Sequence, residues 1–362
     1  MKFIPFVLLT VLASACATKK TSIDPALAGS TDESIHYPEE KHLRNIRQLT
    51  HGGNNAEAYW SFDSNKLIFQ SDNKNWGLGC DQIFVLDVNA KADSTKRQLI
   101  STGKGRTTCS FFMPDNKSII YASTHLGMDT CPAVPLRESG RYVWPIYPEY
   151  EIFEASLDGK IIRQFTNSPG YDAEAVVSPK GDKIIFTSIR SGDLDLWLMN
   201  IDGSGLTQVT NSLGYDGGAT FSPDGKKIVW RASRPKTPDE VKKYRELLAQ
   251  NLVEPTSLEI FVADVDGSNA QQVTQLGNAN WAPCFDPSGK KILFSSNYKS
   301  NIGFPFNIFM VNMDGSDLEQ VTFDTQFDSF AMFSPDGKYL AWCSNRHNGR
   351  TRDTNVFVAE WK

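Results

Sequence analysis

The sequence reads SPKGDKIIFTS at residues 178–188, and a block of this kind recurs along the chain. Each copy has a tight polar turn followed by a short apolar run that is typical of a β-strand. The other copies begin SFDSNK at 61, MPDNK at 113, SPDGK at 222, DPSGK at 286 and SPDGK at 334. Six copies spaced by about 45 to 65 residues are typical of a propeller or solenoid array.

Each copy contains four predicted strands, which we label A to D. In the third copy, strand A covers 173–177, B covers 183–188, C covers 194–199 and D covers 208–210. Asp-Gly pairs, which suit tight hairpins, join strand C to strand D. The pattern predicts an all-β fold, a six-bladed β-propeller.

The two ends of the repeat region complement each other. The sixth copy stops at strand C, residues 355–361, whereas residues 47–50 look like a strand D with no A, B or C before it. We expect this N-terminal strand to complete the last blade, because closure removes the exposed edges of an open ring. An open array with two frayed ends is the alternative.

The repeat pattern resembles a known family. Gln-Leu-Thr, then Trp-Ser or Phe-Ser with Pro-Asp-Gly-Lys, then Ile-Phe and Asp-Gly-Ser, is similar to the propeller repeat of TolB over about residues 43–362. TolB carries a separate α/β domain before its propeller, and the resemblance does not extend to that domain. It therefore implies a stand-alone TolB-like propeller and does not imply Tol-Pal activity.

The first residues have a different character. A charged start, an apolar run over residues 3–12 and small residues before Cys16 predict a lipoprotein-type signal peptide at 1–15. Cys16 would be the lipidation site, with an ordinary signal peptide as the alternative. Residues 16–41 are predicted to be a flexible tether, and residues 42–362 the propeller. We expect an exported, lipid-anchored protein, on the periplasmic face of the outer membrane or at the cell surface.

Charge limits the classes of partner. The chain has 37 basic and 42 acidic residues with interspersed signs, giving a net charge of −5. Phosphate binding needs a dense positive face, so no nucleic-acid partner is expected. The only membrane contact predicted is the lipid anchor, and we expect a monomer without a cofactor.

The insertions predict which face binds. The A-to-B and C-to-D turns are short, whereas the B-to-C loops on the opposite face are long, above all 123–150 and 233–257. Long loops on one face of a repeat protein indicate the binding face. In the second insertion Thr237 and Glu240 form a capping box, and a helix is predicted from Pro238 to about Gln250. This helix is either a lid or partner-binding helix, or one packed down over the blade edges.

Charged residues cluster where the A strands start and the B strands end. We predict that they form a binding site at the channel mouth, attracting a polar ligand or a cation. The alternative is that each Asp caps a loop and pairs with an Arg to hold blades together. The residues are Glu57, Asp172, Glu174, Asp216, Asp328, Arg190, Arg234 and Arg346.

Three cysteines map to blades one and two. Cys80, Cys109 and Cys131 are disulfide candidates in an exported protein, and Cys109 with Cys131 is the expected pair. Zinc binding with His125 is an alternative, although no known ligand spacing is present, and no metal site is predicted. Cys284 and Cys343 fall inside strands and are expected to be buried thiols.

No catalytic motif stands out, and no catalytic residues are predicted. We expect a non-enzymatic scaffold that binds an envelope protein, a peptide or an oligosaccharide through the face with the long loops. A carbohydrate-active lyase or hydrolase is one alternative, because similar repeats occur in oligogalacturonate lyases, although the histidines of their metal site are not matched here. A propeller that regulates a peptidase is the other.

Overall fold

Six four-stranded antiparallel sheets are arranged as the blades of a propeller. The computed structural model describes residues 35–89, 97–135, 142–348 and 351–362. The predicted signal peptide, Cys16 and most of the predicted tether lie outside the described residues. Within them, the predicted all-β, six-bladed propeller is confirmed.

The strands of each blade are given from A to D. Blades one to three contain β2 (Asn55–Trp60), β3 (Lys66–Ser71), β4 (Gln82–Asp87) and β5 (Gln98–Leu99); β6 (Thr107–Phe112), β7 (Ser118–Ser123), β9 (Glu151–Ser156) and β10 (Ile161–Gln164); β11 (Asp172–Val177), β12 (Lys183–Ser188), β13 (Asp195–Asn200) and β14 (Thr207–Gln208). Blades four to six contain β15 (Asp216–Phe221), β16 (Lys227–Ala232), β18 (Glu259–Asp264) and β19 (Gln271–Gln272); β20 (Asn280–Phe285), β21 (Lys291–Ser296), β22 (Asn307–Asn312) and β23 (Glu319–Gln320); β24 (Asp328–Phe333), β25 (Tyr339–Ser344), β26 (Asn355–Trp361) and β1 (Leu43–Gln48).

The ring closes through blade six, as predicted. Strand β1 lies antiparallel to β26, with Leu43 opposite Trp361 and Gln48 opposite Phe357. The pairing continues past β1, since the Leu49 amide donates to the Val356 carbonyl over 2.8 Å. The N-terminal strand is therefore the fourth strand of the last blade, and the predicted closure is confirmed.

The recurring turn motif is fixed by its own side chains. In blade four the Ser222 hydroxyl donates to Asp224 (2.7 Å) and accepts from the Lys227 amide (2.9 Å). Gly225 has φ = 69°, a conformation that glycine adopts without steric cost. The Ser-Pro-Asp-Gly-Lys motif therefore encodes the A-to-B turn directly.

Residues 35–41, the last part of the predicted tether, pack onto blades five and six. Ile35 is buried beside Leu43 in an apolar cluster. The Glu40 carboxylate is buried as well and accepts from Arg346 over 2.8 Å. This part of the segment therefore contributes to the folded core.

The helical insertion is confirmed, with a slightly earlier end. Helix α1 (Pro238–Leu248) begins at the predicted capping box of Thr237 and Glu240. Tyr244 and Leu247 are its buried residues, and the Tyr244 hydroxyl donates to Asp193 of blade three. The helix thus packs down on the blade edges. A 3₁₀ turn at Lys74–Trp76 is the other helical element described, and neither is long and apolar enough to cross a membrane.

Candidate functional site

A cavity of about 1430 Å³ occupies the central channel at the face that carries the long loops. Its wall is formed by the innermost strands of the blades, and its rim by the B-to-C insertions. We call it the mouth cavity. Ligand sites are concave and combine apolar walls with a few placed polar groups, and this cavity has both.

The third residue of every innermost strand lines the mouth cavity and has a positive φ between 43° and 60°. At each of these positions the register between strands A and B shifts, which is the signature of a β-bulge. A bulge re-aims its side chain, and positive φ is costly for residues other than glycine, so the repeated geometry points to a specific role. We call these six residues the bulge ring: Glu57, Cys109, Glu174, Gly218, Ala282 and Phe330.

Glu174 is the fully partnered member of the bulge ring. Its carboxylate accepts from the Tyr215 hydroxyl (2.9 Å), the Thr187 hydroxyl (2.7 Å) and the Gly218 amide (2.8 Å). Arg231 forms an ion pair with it and also donates to the Tyr215 hydroxyl (2.6 Å). Burial lowers the pKa of Arg231, but the nearby Glu174 and Tyr215 outweigh that effect together with other neighbouring groups, so the pKa lies above its usual value. This cluster is a neutralised, hydrogen-bonded part of the wall.

Gly218 makes room for the arginine. A Cβ at this position would lie 1.7 Å from Nη1 of Arg231, and φ is 60°. Any larger residue would displace the guanidinium from Glu174.

Glu57 occupies the same position in blade one, and no ion pair joins it to another residue of the described ranges. Its Oε2 has no hydrogen-bond partner in the described part of the chain, while the side chain as a whole is partly exposed in the cavity. Burial raises the pKa of Glu57 to about 7, with a smaller opposing effect of a hydrogen bond from Cys109. The carboxylate therefore changes charge near neutral pH.

Cys109 stands between the two glutamates in the ring. Its amide donates to Gln70 over 3.0 Å, and its thiol lies 3.2 Å from the Thr108 hydroxyl. Burial and the nearby carboxylates Glu57 and Glu174 raise the pKa of the thiol well above its usual value. Because the thiolate is the nucleophile, this cysteine is a poor one.

Aromatic side chains of blade five and of the blade-two insertion (residues 123–150) also line the mouth cavity. Trp281 of blade five stacks on Phe306, with ring centroids 4.4 Å apart, and lies 5.1 Å from Trp144. Phe304 contacts Phe306 and is 56% exposed, and neighbouring Ile302 is 87% exposed. We call Trp144, Trp281, Phe304 and Phe306 the aromatic wall. The aromatic wall and the bulge ring line the same cavity.

Two insertions meet above the charged cluster. Strand β8 (Trp144–Pro145) of the blade-two insertion pairs with β17 (Leu252–Val253) of the blade-four insertion. We call this pair of strands the strap. The Trp144 ring lies over the Arg231 guanidinium at 5.2 Å, a cation–π contact. The strap thereby links blades two and four and covers the Glu174 side of the cavity.

A disulfide anchors the blade-two insertion to blade one. It joins Cys80 to Cys131, with Cα atoms 5.8 Å apart. The predicted Cys109–Cys131 pair is wrong, because Cys109 is a member of the bulge ring and is free. Cys284 and Cys343 are buried free thiols, as predicted, and burial raises the pKa of each to about 12.

No protein-family model and no curated protein matches the sequence. The structure superposes on one assigned as TolB from Agrobacterium tumefaciens with a TM-score of 0.55 and 20% identity, covering 88% of this chain and 97% of that one. TolB from Acinetobacter baumannii gives a TM-score of 0.55 and 17% identity, covering 84% of this chain and 65% of that one. The fold is that of a TolB-like β-propeller.

A further similar structure is an oligogalacturonate lyase in complex with manganese, with a TM-score of 0.47 and 14% identity over 90% of this chain and 95% of that one. At these identities, likeness concerns the fold of a TolB-like propeller alone. No group of three metal-binding side chains occurs in the described ranges. His125 lies 2.9 Å from the Ser123 hydroxyl and against the Phe153 ring.

Six of the eight residues predicted at the channel mouth do not line the cavity of this TolB-like propeller. They form three buried or partly buried ion pairs, as the alternative predicts, but each pair lies within one blade and does not join two blades. The pairs are Asp172–Arg190 (2.8 Å), Asp216–Arg234 (2.6 Å) and Asp328–Arg346 (2.9 Å). Each Asp is the first residue of an A strand and each Arg follows the end of the paired B strand, so the ion pairs fasten strand ends together.

Glu57 and Glu174 are the two predicted residues that do line the cavity. Sequence reasoning missed Arg231, Trp281 and the pairing of the strap. An arginine within the apolar strand β16 was a usable signal, since a buried charge needs a partner. Nothing local in the sequence indicates that residues 144–145 and 252–253 pair with each other.

Proposed function

We propose that this chain is a non-enzymatic binding propeller of the bacterial cell envelope that holds a segment of a partner protein in the mouth cavity. The aromatic wall is the observation that carries the proposal. Aromatic side chains supply large contact areas at low entropic cost and dominate the energetics of protein interfaces.

The size of the cavity supports a polymer segment as the ligand. Small-molecule pockets typically measure about 300–1000 Å³, and the mouth cavity is larger, at about 1430 Å³. Its lining combines apolar rings with polar groups such as Asn297, Gln326 and Asn345. A peptide presents both kinds of surface along its length, so an extended segment suits this lining.

Exposed apolar residues at the rim support a macromolecular partner. Ile302 and Phe304 are 87% and 56% exposed, respectively, and both border the cavity. Exposed apolar side chains that adjoin a cavity are typical of interaction sites. Such residues would make the first contact with an entering segment.

Site-specific photo-crosslinking in the native envelope tests this proposal. A crosslinkable amino acid at position 302 is expected to capture a defined partner protein. Position 162 is the matched control, because Ile162 is an apolar residue, 53% exposed, on the outer strand β10 and outside the mouth cavity. Capture of the same proteins from both positions, or of none from 302, would contradict the proposal.

The envelope location rests on the N-terminal sequence. If Cys16 is lipidated, the wild-type protein incorporates labelled fatty acid and fractionates with membranes, and Cys16→Ser does neither. The same fractionation of both forms would refute the anchor.

Among the described residues, no specific contact favours the alternative of a carbohydrate lyase or hydrolase. None of the five histidines lines the mouth cavity. Assays on defined oligosaccharides would revive this alternative if turnover depended on residues of the cavity. A peptidase-regulating role would show as capture of a peptidase from position 302.

A further inference from the structure

The charges that line the mouth cavity are unevenly partnered. Arg231 pairs with Glu174, and Arg106 pairs with Asp81 over 3.2 Å. Arg352 is exposed at the rim, and Glu57 has no ion pair within the described residues. Glu57 is therefore the one acidic group of the described lining whose charge is not balanced by the protein.

The position of Glu57 is costly for the protein in two ways. The residue has φ = 55°, in the left-handed region that side chains rarely adopt. One carboxylate oxygen is also withdrawn from solvent with no hydrogen-bond partner among the residues that the structure describes. A neutral residue at this bulge would avoid the second cost, the buried carboxylate oxygen without a partner. Such costs persist where the surrounding structure serves a function.

Two aromatic residues, one on the same strand and one in the neighbouring blade, line the mouth cavity together with Glu57. Phe330 holds the same ring position in neighbouring blade six, and Tyr59 follows on the same strand as Glu57. A carboxylate beside aromatic faces is the combination that binds protonated amines and guanidinium groups, through an ion pair and cation–π contacts.

We propose that Glu57 anchors a protonated amine or guanidinium group carried by the ligand of the mouth cavity. The inference rests on the proposed function and specifies the chemistry of the bound segment, which presents a lysine, an arginine or an amino terminus to blade one. The aromatic wall receives the apolar part of the same segment. The Glu174–Arg231 cluster, already neutral, does not compete for the cation.

Affinity for the cation follows the charge of Glu57. The pKa of Glu57 is raised to about 7, so its charged fraction grows as the pH rises from 5.5 to 8. The titratable groups facing it are Cys109, Cys343, Tyr59, Glu174, Arg231 and Asp81. Burial raises the pKa of Cys109 and of Tyr59 well above their usual values, so both stay neutral over this range. Arg231 stays charged and remains paired with Glu174.

The test uses tryptamine, an indole that carries an amine, and tryptophol, which has a neutral hydroxyl in its place. Calorimetric titration of the full chain at pH 8 is expected to show at least tenfold tighter binding of tryptamine. Glu57→Gln is expected to lower tryptamine affinity at least tenfold and to leave tryptophol binding unchanged. In the wild type, tryptamine binding weakens at least fivefold between pH 8 and pH 5.5.

Glu151→Gln is the matched control. Burial raises the pKa of Glu151 to about 7, and its Oε2 also lacks a hydrogen-bond partner among the described residues, yet Glu151 does not line the mouth cavity. Tryptamine binding by this variant is expected to equal that of the wild type. A loss as large as in Glu57→Gln would assign the effect to a general change in stability and overturn the proposal.

Three other outcomes overturn it. The first is equal affinity for tryptamine and tryptophol, and the second is absence of tryptamine binding in the millimolar range. The third is Glu57-dependent binding of calcium without a preference for tryptamine, which would make the carboxylate a metal ligand. Should Glu57→Gln fail to fold, the wild-type pH profile decides, and a flat profile refutes the proposal. Crosslinking from position 302 is independent of Glu57, so the failure of one proposal is distinguishable from the failure of the other.

Discussion

Blades one and three present the same residue at the same place in opposite surroundings. Glu57 and Glu174 both sit at the bulge of an innermost strand, with φ of 55° and 59°. Glu174 is bound by an arginine, two hydroxyls and an amide, whereas Oε2 of Glu57 has no partner among the described residues. The backbone geometry at the bulge thus sets the direction of the side chain. Residues of the neighbouring blades then determine whether its carboxylate is paired within the protein or available to a ligand.

The starts of the innermost strands extend this comparison. Blades three, four and six have an Asp there, each with its Arg. Blades one, two and five have Asn55, Thr107 and Asn280 at the same position, and no arginine follows strand B. At the first position of strand A, charged residues occur only in Asp–Arg pairs. Glu57, at the third position of its strand, differs in having no such pair among the described residues.

The largest effect is expected from Arg346→Met. This arginine is buried and pairs with both Asp328 and Glu40. Its removal leaves two buried carboxylates without a cation, which lowers the free energy of unfolding by about 3–5 kcal/mol. Denaturant titration measures the change. Lys338→Met, which breaks an exposed pair with Asp336, is the control and should cost less than about 0.5 kcal/mol.

Glu174→Gln should destabilise the protein by about 3 kcal/mol, because it leaves the Arg231 guanidinium buried without its carboxylate. Adding Arg231→Met to this variant is expected to recover most of the loss, since the unpaired charge is then gone. The double-mutant cycle is read by the same titration. An additive loss in the double variant would show that the two residues do not form a unit.

Glu57→Gln, unlike the two preceding variants, should raise the free energy of unfolding. The pKa of Glu57 is raised in the folded state, so the folded chain binds this proton more tightly than the unfolded chain, and stability from this residue falls as the pH rises from about 4.5 to 7. The amide removes that penalty, so the variant is more stable than the wild type at pH 8 by about 1–2 kcal/mol, reduced for its partial exposure, and equal to it at pH 4. Thermal unfolding at the two pH values checks this, and destabilisation at pH 8 would contradict it.

The smallest effect is expected from Cys109→Ser. The thiol lies between the two glutamates, and a hydroxyl of similar size donates a stronger hydrogen bond to Glu57. Stability should change by less than about 0.5 kcal/mol, while the midpoint of the pH dependence moves to lower pH because the charged carboxylate is favoured. A loss above 2 kcal/mol would mean that the thiol has a packing role.

The architecture could be predicted from the sequence because its signals are local. The Ser-Pro-Asp-Gly-Lys turns are fixed by their own side chains, and the capping box at Thr237 starts α1 where expected. Closure of the ring could also be predicted, because the repeat pattern showed both the strand D missing from the last blade and the unassigned N-terminal strand.

The candidate site was only partly predictable, because its features are non-local. Glu57 and Glu174 were singled out by charge, but so were six residues that pair with each other instead. The difference lies in a bulge that turns the third residue of strand A toward the channel, and no residue type shared by Glu57, Cys109 and Phe330 marks it. Disulfide connectivity likewise depends on which loops meet in space.

The closure through blade six has a consequence for biosynthesis. Strand β1 emerges first, but its partner β26 is made only after the rest of the propeller. Until then the hydrogen-bonding groups of Leu43–Gln48 are unpaired, and an unpaired edge invites wrong partners. A chaperone that shields this first segment during synthesis or export is therefore expected to raise the yield of native protein.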